Sequence, residues 1–485
     1  MTTEYPIYID GAFEKTDSEL RVTNPFDGSA VGTTWLAGPD HLDRATRAAE
    51  TAFKSFGKTA VFDRVDLLKA LATTLKERRG DVIDIIVREA GKPVGEATTE
   101  VDRGVFTIET AAEEAKRIQG DVIPLDLLPS SKGRFGIVRR FPIGPIAGIS
   151  PFNFPLNLAL HKVAPAIASG NTIVLKPPTL APLTMLFIAQ LADEVGVPKG
   201  VLNVLPMNRT TGNQLVSDGR FKLLSFTGSP DVGWDMKRRA GVKPVVLELG
   251  GNAGVLIDDD ADLDFAVSRI KMGAFAYAGQ VCISVQRVFI HESVYEAVRD
   301  RVVEVASTIR MGNPADAATE LGPMIDDRAA KRTGSWIEQA VKEGAKILAG
   351  GKARERFFEP TVIENANPES FVCSREAFAP LVTLFPVASF SEGIRRLNDS
   401  EYGLQAGVFT NRLENALTAF ERIEAGGVII NDVPTYRIDH MPYGGVKSSG
   451  LSREGVRYAI EDMTEPRLMV INRLESQALD GGNGA

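Results

Sequence analysis

The sequence predicts an α/β protein with a doubly wound parallel sheet in one domain and a second α/β domain after it. In residues 171–257, short apolar runs typical of strands alternate with a helical segment, and a second alternating series follows Cys282. The chain has 485 residues, 44% of them hydrophobic, which is more than one hydrophobic core usually covers. Parallel strands joined by crossover helices are the arrangement that such alternation favours.

The individual elements follow from the same periodicity. Apolar residues recur at helical spacing from about residue 40 to residue 90, which predicts an amphipathic pair of helices. The predicted strands are NTIVLKPP, VLNVLP, KLLSFTG and PVVLELGG, then RVFIH, AKILAGG, PLVTLFPVA, LQAGVFT and GGVIIN. The predicted helices between them are PLTMLFIAQLADEVG and SVYEAVRDRVVEVA. The terminal segment LMVINRLESQALDGGNGA predicts one strand and then a frayed tail.

Composition and charge exclude several classes of protein. Lys and Arg total 55 against 63 Asp and Glu, a formal net charge of -8, which favours a small-molecule partner over nucleic acid or anionic lipid. The most apolar region, residues 135–178, is interrupted by charged residues and prolines, so no membrane span is expected. Two cysteines and an acidic N-terminus without a signal-peptide pattern indicate a reducing compartment, and we expect the cytoplasm.

Cys282, in the segment GQVC, is the candidate nucleophile. Gly279 leaves room for close approach, and the thiol follows a predicted helix in a segment without nearby acidic residues. A thiolate there could attack a carbonyl carbon. A buried and unreactive cysteine is the alternative, and it is the interpretation that we keep for Cys373.

Glu248 and Asn153 each occupy an unusual setting. Glu248, in VVLELGGN, lies inside an apolar strand before two glycines, so burial would raise its pKa toward that of a general base. A solvent-facing strand end is the alternative. Asn153, in FNFP, lies between two aromatic residues and before a proline, so its amide could be held rigidly toward an oxyanion. The alternative is a turn asparagine.

Two segments could bind phosphate groups. LKPP places Lys176 at the end of a predicted strand, and FTGSPDVG places Gly228 and Ser229 at the start of a helix that Gly233 lets pack closely. The spacing is not the usual G-x-G-x-x-G, so a glycine-rich turn of this kind is weak support by itself.

Seven motifs, taken in order, resemble those of the aldehyde dehydrogenase superfamily. They are FNFP, LKPP, FTGS, LELGG, GQVC, REAF and PYGGVKSSG, and the resemblance extends from about residue 20 to about residue 470. It implies oxidation of an aldehyde to a carboxylic acid, with Cys282 as nucleophile, Asn153 and the Cys282 amide as oxyanion hole, and Glu248 activating the water. Relatives that transfer the acyl group to coenzyme A usually lack this Glu, so hydrolysis is expected.

The resemblance also implies a dinucleotide cofactor, NADP or NAD, with Glu376 on the nicotinamide ribose. The residues expected to form its site are Ser150, Phe152, Lys176, Thr179, Arg209, Gly228, Ser229, Gly233, Leu249, Glu376 and Phe378. Relatives that prefer NAD commonly carry Glu three residues after the Lys, where this chain has Thr179. We therefore expect NADP to be accepted or preferred, with Arg209 near the 2'-phosphate; a solvated loop arginine is the alternative for Arg209.

The motifs are closest to those of non-phosphorylating glyceraldehyde-3-phosphate, lactaldehyde and phosphonoacetaldehyde dehydrogenases. Arginines bind the substrate phosphate in the first of these groups, and the matching segments here contain Arg103, Arg287 and Arg437, with His161 in the same predicted pocket. We hypothesise a short anionic aldehyde, because guanidinium groups bind such anions bidentately. A core histidine is the alternative for His161, and a neutral aldehyde such as lactaldehyde is the alternative substrate.

The resemblance divides the chain into domains. Residues 1–119 and 141–249 would form the dinucleotide-binding domain, 250–445 the catalytic domain, and 446–465 a return to the first domain. Residues 120–140 and 466–485 would form a small β oligomerisation element, whose hairpin joins a strand near 466–475 across a subunit boundary. We therefore expect a homodimer or homotetramer.

Other classes receive less support from the residues. The acidic run IDDDADLD lacks the glycine and distal glutamate of a calcium loop and suits a helix N-terminus, so no structural metal is expected. A cysteine esterase without nucleotide would leave Lys176, Glu376 and the FTGS turn unexplained. A non-catalytic binding protein would make the catalytic set accidental.

Overall fold

The computed structural model describes residues 3–473 of the chain. Its helices are α1 (Pro39–Phe56), α2 (Val61–Glu77), α3 (Arg79–Ala90), α4 (Val94–Ala115), α5 (Asn157–Ser169), α6 (Leu183–Glu194), α7 (Arg209–Ser217), α8 (Pro230–Arg239), α9 (Leu263–Phe275), α10 (Tyr295–Ser307), α11 (Asp327–Lys342), α12 (Phe371–Ser374), α13 (Phe390–Asn398), α14 (Leu413–Arg422) and α15 (Val456–Asp462).

The strands, in chain order, are β1 (Ile7–Ile9), β2 (Ala12–Glu14), β3 (Glu19–Thr23), β4 (Ala30–Trp35), β5 (Asp121–Pro124), β6 (Arg134–Pro142), β7 (Ile146–Ile149), β8 (Ile173–Lys176), β9 (Leu202–Val204), β10 (Leu223–Thr227), β11 (Val245–Glu248), β12 (Ala253–Ile257), β13 (Val285–His291), β14 (Lys346–Ala349), β15 (Ala353–Arg354), β16 (Phe357–Phe358), β17 (Thr361–Glu364), β18 (Leu381–Val387), β19 (Tyr402–Gly403), β20 (Gln405–Phe409), β21 (Gly427–Ile430), β22 (Val446–Lys447), β23 (Gly450–Leu451) and β24 (Thr464–Asn472).

The first large sheet has eight strands in the order β2-β1-β9-β8-β7-β10-β11-β23. Strands β7 to β11 run parallel, and their mostly apolar residues are buried because helices cover both faces. The chain order reverses between β7 and β10, since β8 and β9 lie on one side of β7 and β10 and β11 on the other. A reversal of this kind opens a crevice at the carboxyl ends of the strands.

The second large sheet has seven strands in the order β14-β17-β18-β13-β12-β20-β21. All neighbours in it are parallel except β14 and β17. The two large sheets have separate apolar cores. The chain passes from the first sheet to the second through residues 249–252 and returns when β23 pairs with β11. The predicted fold class, with two α/β sheets in one chain, is therefore confirmed.

A third sheet has three strands in the order β24-β6-β5. The sequence predicted that the terminal strand pairs across a subunit boundary, but β24 pairs antiparallel with β6 of the same chain, from Thr464 opposite Pro142 to Asn472 opposite Arg134. The expected intersubunit pairing is therefore wrong for these two strands. The backbone edge of β6 is occupied within the chain, while Leu468, Met469 and Val470 stay about half exposed.

The helices differ from the predictions in several places, of which two have a clear physical reason. The second half of the expected helical pair is two helices, because the chain turns at Arg78 between α2 and α3. Helix α5 was not predicted as an element, and every one of its residues, 157–169, is buried. A helix buried on all sides lacks the amphipathic periodicity by which surface helices are found. The predicted frayed tail from residue 474 onward lies outside the described residues.

None of the helices in residues 3–473 combines the length and apolar composition needed to cross a membrane.

The start of α6 depends on a carboxylate from another helix. Pro182 precedes α6 and offers no side-chain cap, but Glu89 at the end of α3 accepts bonds from the backbone N–H groups of Leu183 at 2.7 Å and Thr184 at 2.9 Å. Burial raises the pKa of Glu89 to about 7, although these hydrogen bonds oppose the rise. Glu89 therefore satisfies helix donors that would otherwise be buried without partners.

We expect Glu89→Ala to lower the free energy of unfolding by about 2 kcal/mol or more, because it leaves buried N–H groups unpaired. Thermal and urea unfolding would measure the change. Asp84→Ala on the same helix is the control, since Asp84 forms only an exposed pair with Arg88 and its loss should cost about 0.5 kcal/mol or less. Equal losses in the two variants would contradict this account of α6.

Candidate active site

Cys282 lies in a tight turn between α9 and β13. Before it, Tyr277, Ala278 and Gly279 all have positive φ angles, and a Cβ at Gly279 would lie 2.0 Å from the carbonyl oxygen of Ala379. Only glycine therefore fits this part of the turn. The hydroxyl of Tyr443 lies 3.1 Å from the Cys282 sulfur, and burial raises the pKa of the thiol to about 12 even though this contact lowers it.

Glu248 is the last residue of β11, and it is buried rather than solvent-facing. Both carboxylate oxygens lack a hydrogen-bond partner, and a Cβ at Gly444 would lie 2.8 Å from one of them. Burial, and then the nearby Glu454, raise the pKa of Glu248 well above its usual value. An unpartnered carboxylate with a raised pKa is suited to accept a proton from water.

The glycine pair after Glu248 brings the two sheets together at the site. A Cβ at Gly250 would lie 2.3 Å from the Glu376 carboxylate, and a Cβ at Gly251 would lie 2.3 Å from the carbonyl oxygen of Cys282. Glu376 also accepts a hydrogen bond from the Gly251 amide at 3.1 Å. Any side chain in this pair would displace the candidate nucleophile or Glu376.

Asn153 is buried and contacts the turn that carries Cys282. Its side-chain amide donates to the carbonyl oxygen of Gln280 at 2.9 Å, two residues before Cys282. Its own oxygen has no partner. The structure thus brings Asn153, Glu248 and Cys282 to the lining of one cleft of about 490 Å³.

This cleft opens at the carboxyl ends of β7, β10 and β11. Phe152 and Phe378 meet edge to face inside it, with ring centroids 6.0 Å apart. Burial raises the pKa of Glu376 to about 7. The predicted cofactor residues that line the cleft are Ser150, Phe152, Thr179, Gly228, Ser229, Leu249, Glu376 and Phe378.

Three predicted cofactor residues lie outside the cleft lining. Lys176 ends β8, and burial lowers its pKa to about 8; its amine contacts only the carbonyl oxygen of Pro177, at 3.3 Å, within the described residues. Arg209 is exposed at the first position of α7. Gly233 lies inside α8, where a Cβ would be 2.4 Å from Leu249, so it allows close packing as expected.

The cleft fits a dinucleotide. The hydroxyl of Ser150 is buried without a hydrogen-bond partner, and Lys176 offers a partly buried amine that no described carboxylate neutralises. Two of the lining residues carry carboxylates, Glu248 and Glu376, and the lining segment 178–180 around Thr179 contributes none. Groups of this kind can bind ribose hydroxyls and phosphates.

A charged cluster lies beside the thiol, centred on the carboxylate of Asp439. Arg103 binds it through two nitrogens at 2.7 and 3.0 Å, and His161 and Asn157 contact it at 2.8 and 3.0 Å. Burial opposes ionisation, but these contacts hold the pKa of Asp439 well below its usual value. Arg103 is still one-quarter exposed, and the second ring nitrogen of His161 is buried without a partner.

Arg437 connects this cluster to the catalytic residues. It donates to Glu454 at 2.9 Å, and its guanidinium lies 3.7 Å from the centre of the Tyr443 ring. Its Nε is buried without a hydrogen-bond partner. Burial lowers the pKa of Arg437, but Glu454 and Asp439 outweigh this and raise it, so the guanidinium is charged.

Arg287 lies elsewhere, although the sequence grouped it with the other arginines. Its guanidinium is buried and donates to the backbone carbonyls of Asn252 at 3.0 Å and Leu397 at 3.1 Å, with Arg396 and Asp399 also within reach. These carbonyls surround the C-terminus of α13, where a cation complements the helix dipole. Arg103, His161 and Arg437 are also outside the cleft lining but meet in the cluster around Asp439, whereas Arg287 does not, and we remove it from the substrate site.

The acidic run also has a structural role. Asp262 caps α9 by accepting from the Phe265 amide at 3.0 Å, as the sequence predicted. Asp258, Asp259 and Asp260 lie close together and contact Arg412. Cys373, for which an unreactive interpretation was kept, is buried in the core of the second sheet.

Four residues of the site were missed from the sequence: Tyr443, Asp439, Glu454 and Lys162. Lys162 is buried in α5 and donates to Thr227 at 2.8 Å and Ser225 at 3.1 Å, with Glu454 at 3.5 Å. Tyr443 stands in the quoted motif PYGGVKSSG, and Asp439 precedes it closely. A tyrosine and an acidic residue next to a recognised motif were therefore the available signals.

Comparison with known proteins agrees with this geometry. The aldehyde dehydrogenase family model matches residues 13–469. The 3-sulfolactaldehyde dehydrogenase of Priestia aryabhattai is 41% identical over 470 residues, which cover 97% of this chain and 98% of that protein.

Two solved structures are similar over nearly the whole chain. Aldehyde dehydrogenase 21 from Physcomitrella patens, in complex with its reaction product succinate, has a TM-score of 0.96 and 41% identity, covering 98% of this chain and 100% of that one. The glyceraldehyde-3-phosphate dehydrogenase of Methanocaldococcus jannaschii, complexed with NADP, has a TM-score of 0.91 and 36% identity, covering 94% and 100%. The chain therefore belongs to the aldehyde dehydrogenase family, and it is an enzyme that oxidises aldehydes with NADP or NAD.

Proposed function

We propose that this enzyme oxidises a short anionic aldehyde, carrying a phosphate, phosphonate, sulfonate or carboxylate group, to its carboxylic acid. The observation that carries the proposal is the position of Arg437. One tyrosine ring separates its guanidinium from the candidate nucleophile, and its buried Nε, 3.9 Å from Asp439 Oδ1, has no hydrogen-bond partner. A buried donor without a partner is costly unless a ligand completes it.

Three groups can bind the anionic end of the substrate. Arg437 offers an Nε without a hydrogen-bond partner, His161 a ring nitrogen without one, and Arg103 a guanidinium that is partly exposed. Asp439 fixes Arg103 and His161 in place, so the donors are ordered before the substrate arrives. The Priestia relative acts on a sulfonated aldehyde and the Physcomitrella structure holds a dicarboxylate product, which supports the same class of substrate here.

Cys282 and Asn153 act on the aldehyde carbon in the proposed reaction. The Cys282 thiolate forms a bond to that carbon, and the carbonyl electron pair moves to the oxygen, which Asn153 and the Cys282 amide stabilise. A bound NADP or NAD would accept the hydride that leaves this carbon, and the substrate becomes a thioester of Cys282. Ser150, Lys176 and Glu376 are the residues that would hold this cofactor.

Glu248 completes the reaction by accepting a proton from water. The resulting hydroxide attacks the thioester carbon, the carbon–sulfur bond breaks, and Cys282 leaves as thiolate with release of the acid. Neither carboxylate oxygen of Glu248 has a hydrogen-bond partner within the protein, so each can accept a hydrogen bond from a water molecule. An esterase that works without nucleotide would make no use of the cleft lined by Ser150, Gly228 and Glu376.

We further propose that the enzyme is a homo-oligomer assembled through the three-stranded sheet. Leu468, Met469 and Val470 on β24 and Val122 on β5 leave large apolar side chains half or more exposed. Adjacent exposed apolar residues on a sheet are typical of a protein–protein interface. A dimer or a tetramer would cover them.

Substituting Glu248→Gln should stop the reaction after one turnover per site. The thioester forms but its hydrolysis loses the general base, so we expect one burst of reduced cofactor and then a rate about 10²- to 10⁴-fold lower. Stopped-flow absorbance at 340 nm measures the burst, and mass spectrometry detects acyl-Cys282. Cys282→Ala is the control and should give neither.

The pH profile gives a second measure of Glu248. Because burial raises its pKa, the carboxylate form that accepts the proton is present only above that raised pKa, so steady-state turnover should rise with pH through it. Glu248→Gln should lack this rise. If Glu248→Gln kept the wild-type rate and the wild-type dependence of turnover on pH, Glu248 would not be the general base.

Charge on the substrate should determine the effect of Arg103→Gln. For glyceraldehyde 3-phosphate and succinic semialdehyde we expect kcat/KM to fall at least about tenfold, whereas for neutral lactaldehyde it should change about twofold or less, because only the anions contact the guanidinium. Arg88→Gln, an exposed arginine of α3, is the matched control. Preference for lactaldehyde in the wild type, with a ratio that Arg103→Gln leaves unchanged, would instead establish a neutral substrate.

Thr179 should influence the choice between NADP and NAD. Introducing a carboxylate by Thr179→Glu places negative charge in a segment of the cleft lining that has none, so the ratio of kcat/KM for NADP to that for NAD should fall about tenfold or more. Thr179→Gln has a similar shape without the charge and should change the ratio much less. If Thr179→Glu and Thr179→Gln gave equal ratios of kcat/KM for NADP to NAD, the 2' position of the adenosine ribose would not lie near Thr179.

A further inference from the structure

We propose that Tyr443 is a further catalytic residue, whose phenolic hydroxyl donates a hydrogen bond to the Cys282 thiolate while Arg437 stacks on the phenol ring. This inference rests on the proposed role of Cys282 as nucleophile and adds a second role for Arg437. It also gives a role to a buried tyrosine that contacts the cleft lining at Cys282.

The first observation is the direct contact with the reacting atom. The Tyr443 hydroxyl lies 3.1 Å from the Cys282 sulfur, within hydrogen-bond range for sulfur, and Tyr443 is 3% exposed. Either group can donate while the thiol is protonated. Once the thiolate forms, only the phenol has a proton to donate, so the bond then runs from oxygen to sulfur.

The second observation is that the surroundings of the sulfur disfavour its negative charge. Cys282 is partly buried near the carboxylates of Glu376 and Glu248, and both burial and these charges raise its pKa. The groups that lower it are the Tyr443 hydroxyl and Arg437. The sulfur therefore depends on these two groups for stabilisation of the thiolate.

The third observation is the stacking of Arg437. Its guanidinium lies 3.7 Å from the centroid of the Tyr443 ring, within the range of a cation–π contact, and the group is charged. A cation over a phenol ring withdraws electron density and makes the O–H a stronger donor. Arg437 can therefore act on Cys282 through Tyr443 as well as on the anionic substrate.

Tyr443 contacts the sulfur before the reaction begins. The bond from Tyr443 holds Sγ, and the bond from Asn153 to Gln280, two residues before Cys282, holds the backbone turn. When the sulfur attacks the aldehyde carbon, its negative charge moves to the oxygen and the bond from Tyr443 weakens. When the thioester is hydrolysed, the same hydroxyl receives the departing thiolate.

Alkylation of the thiol tests the inference without aldehyde or cofactor. The chain has two cysteines, so a Cys373→Ala background leaves Cys282 as its single thiol. The rate of reaction with iodoacetamide is measured against pH in this background and in Tyr443→Phe, which keeps the ring under Arg437 and removes only the hydroxyl. Tyr295→Phe is the matched control, because its hydroxyl contacts Glu364.

The expected result follows from two opposing effects. Loss of one charge-assisted hydrogen bond should raise the thiol pKa by about one unit and lower the thiolate fraction about tenfold at a fixed pH below it. A more basic thiolate is more nucleophilic, which offsets part of this loss, so alkylation should slow about threefold. Thiolate absorbance should shift to higher pH. Unchanged or faster alkylation in Tyr443→Phe would overturn the inference.

A double substitution tests the part of Arg437. Arg437→Gln should slow alkylation when Tyr443 is present and slow it less in the Tyr443→Phe background, because the two groups act on one bond. Equal effects in the two backgrounds would overturn action through the phenol. The proposed oxidation fails by a different result, namely aldehyde turnover that survives Cys282→Ala.

Discussion

The absence of room for a side chain at Gly250 and Gly251 is the constraint on which the site depends. These residues join β11 of the first sheet to β12 of the second, and their backbone is in contact with Glu376 and with the Cys282 carbonyl. A Cβ at either position would lie 2.3 Å from one of these groups. The strand that ends in Glu248, the turn that carries Cys282 and the segment that carries Glu376 can therefore meet only at this junction.

Positive and negative side chains alternate in the charged cluster around Asp439. Asp439 holds Arg103 and His161, and Glu454 lies between Arg437 and Lys162. Charges buried this deeply are stable only when each is paired, and the pairs here leave specific donors without a partner. In the proposed function, selectivity for an anion follows from which N–H groups lack a hydrogen-bond partner, more than from the net charge of the pocket. The same Glu454 raises the pKa of Glu248, so the substrate side and the general base are electrostatically linked.

The sequence predicted the two α/β domains and the catalytic residues Cys282, Glu248 and Asn153 because both depend on local signals. Strand periodicity and motifs such as LELGG and GQVC involve neighbouring residues, and each has a physical reason in the structure. The charged cluster could be predicted only in part, because Arg103 and Asp439 are 336 positions apart and no local pattern pairs them. Arg287 shows the same limit in reverse: a motif placed it near the site, but its contacts with the end of α13 are visible only in three dimensions.

The return of the chain through β23 has a consequence for how the protein is made. Arg437, Asp439, Tyr443 and Glu454 all lie in residues 431–455, immediately before or after β23 joins the edge of β11. This segment is synthesised after Cys282, Glu248 and all the other strands of both large sheets. In an incomplete chain Cys282 and Glu248 are therefore present before this segment, so the proposed selection of the aldehyde and the proposed stabilisation of the thiolate both require the last part of the chain to have docked.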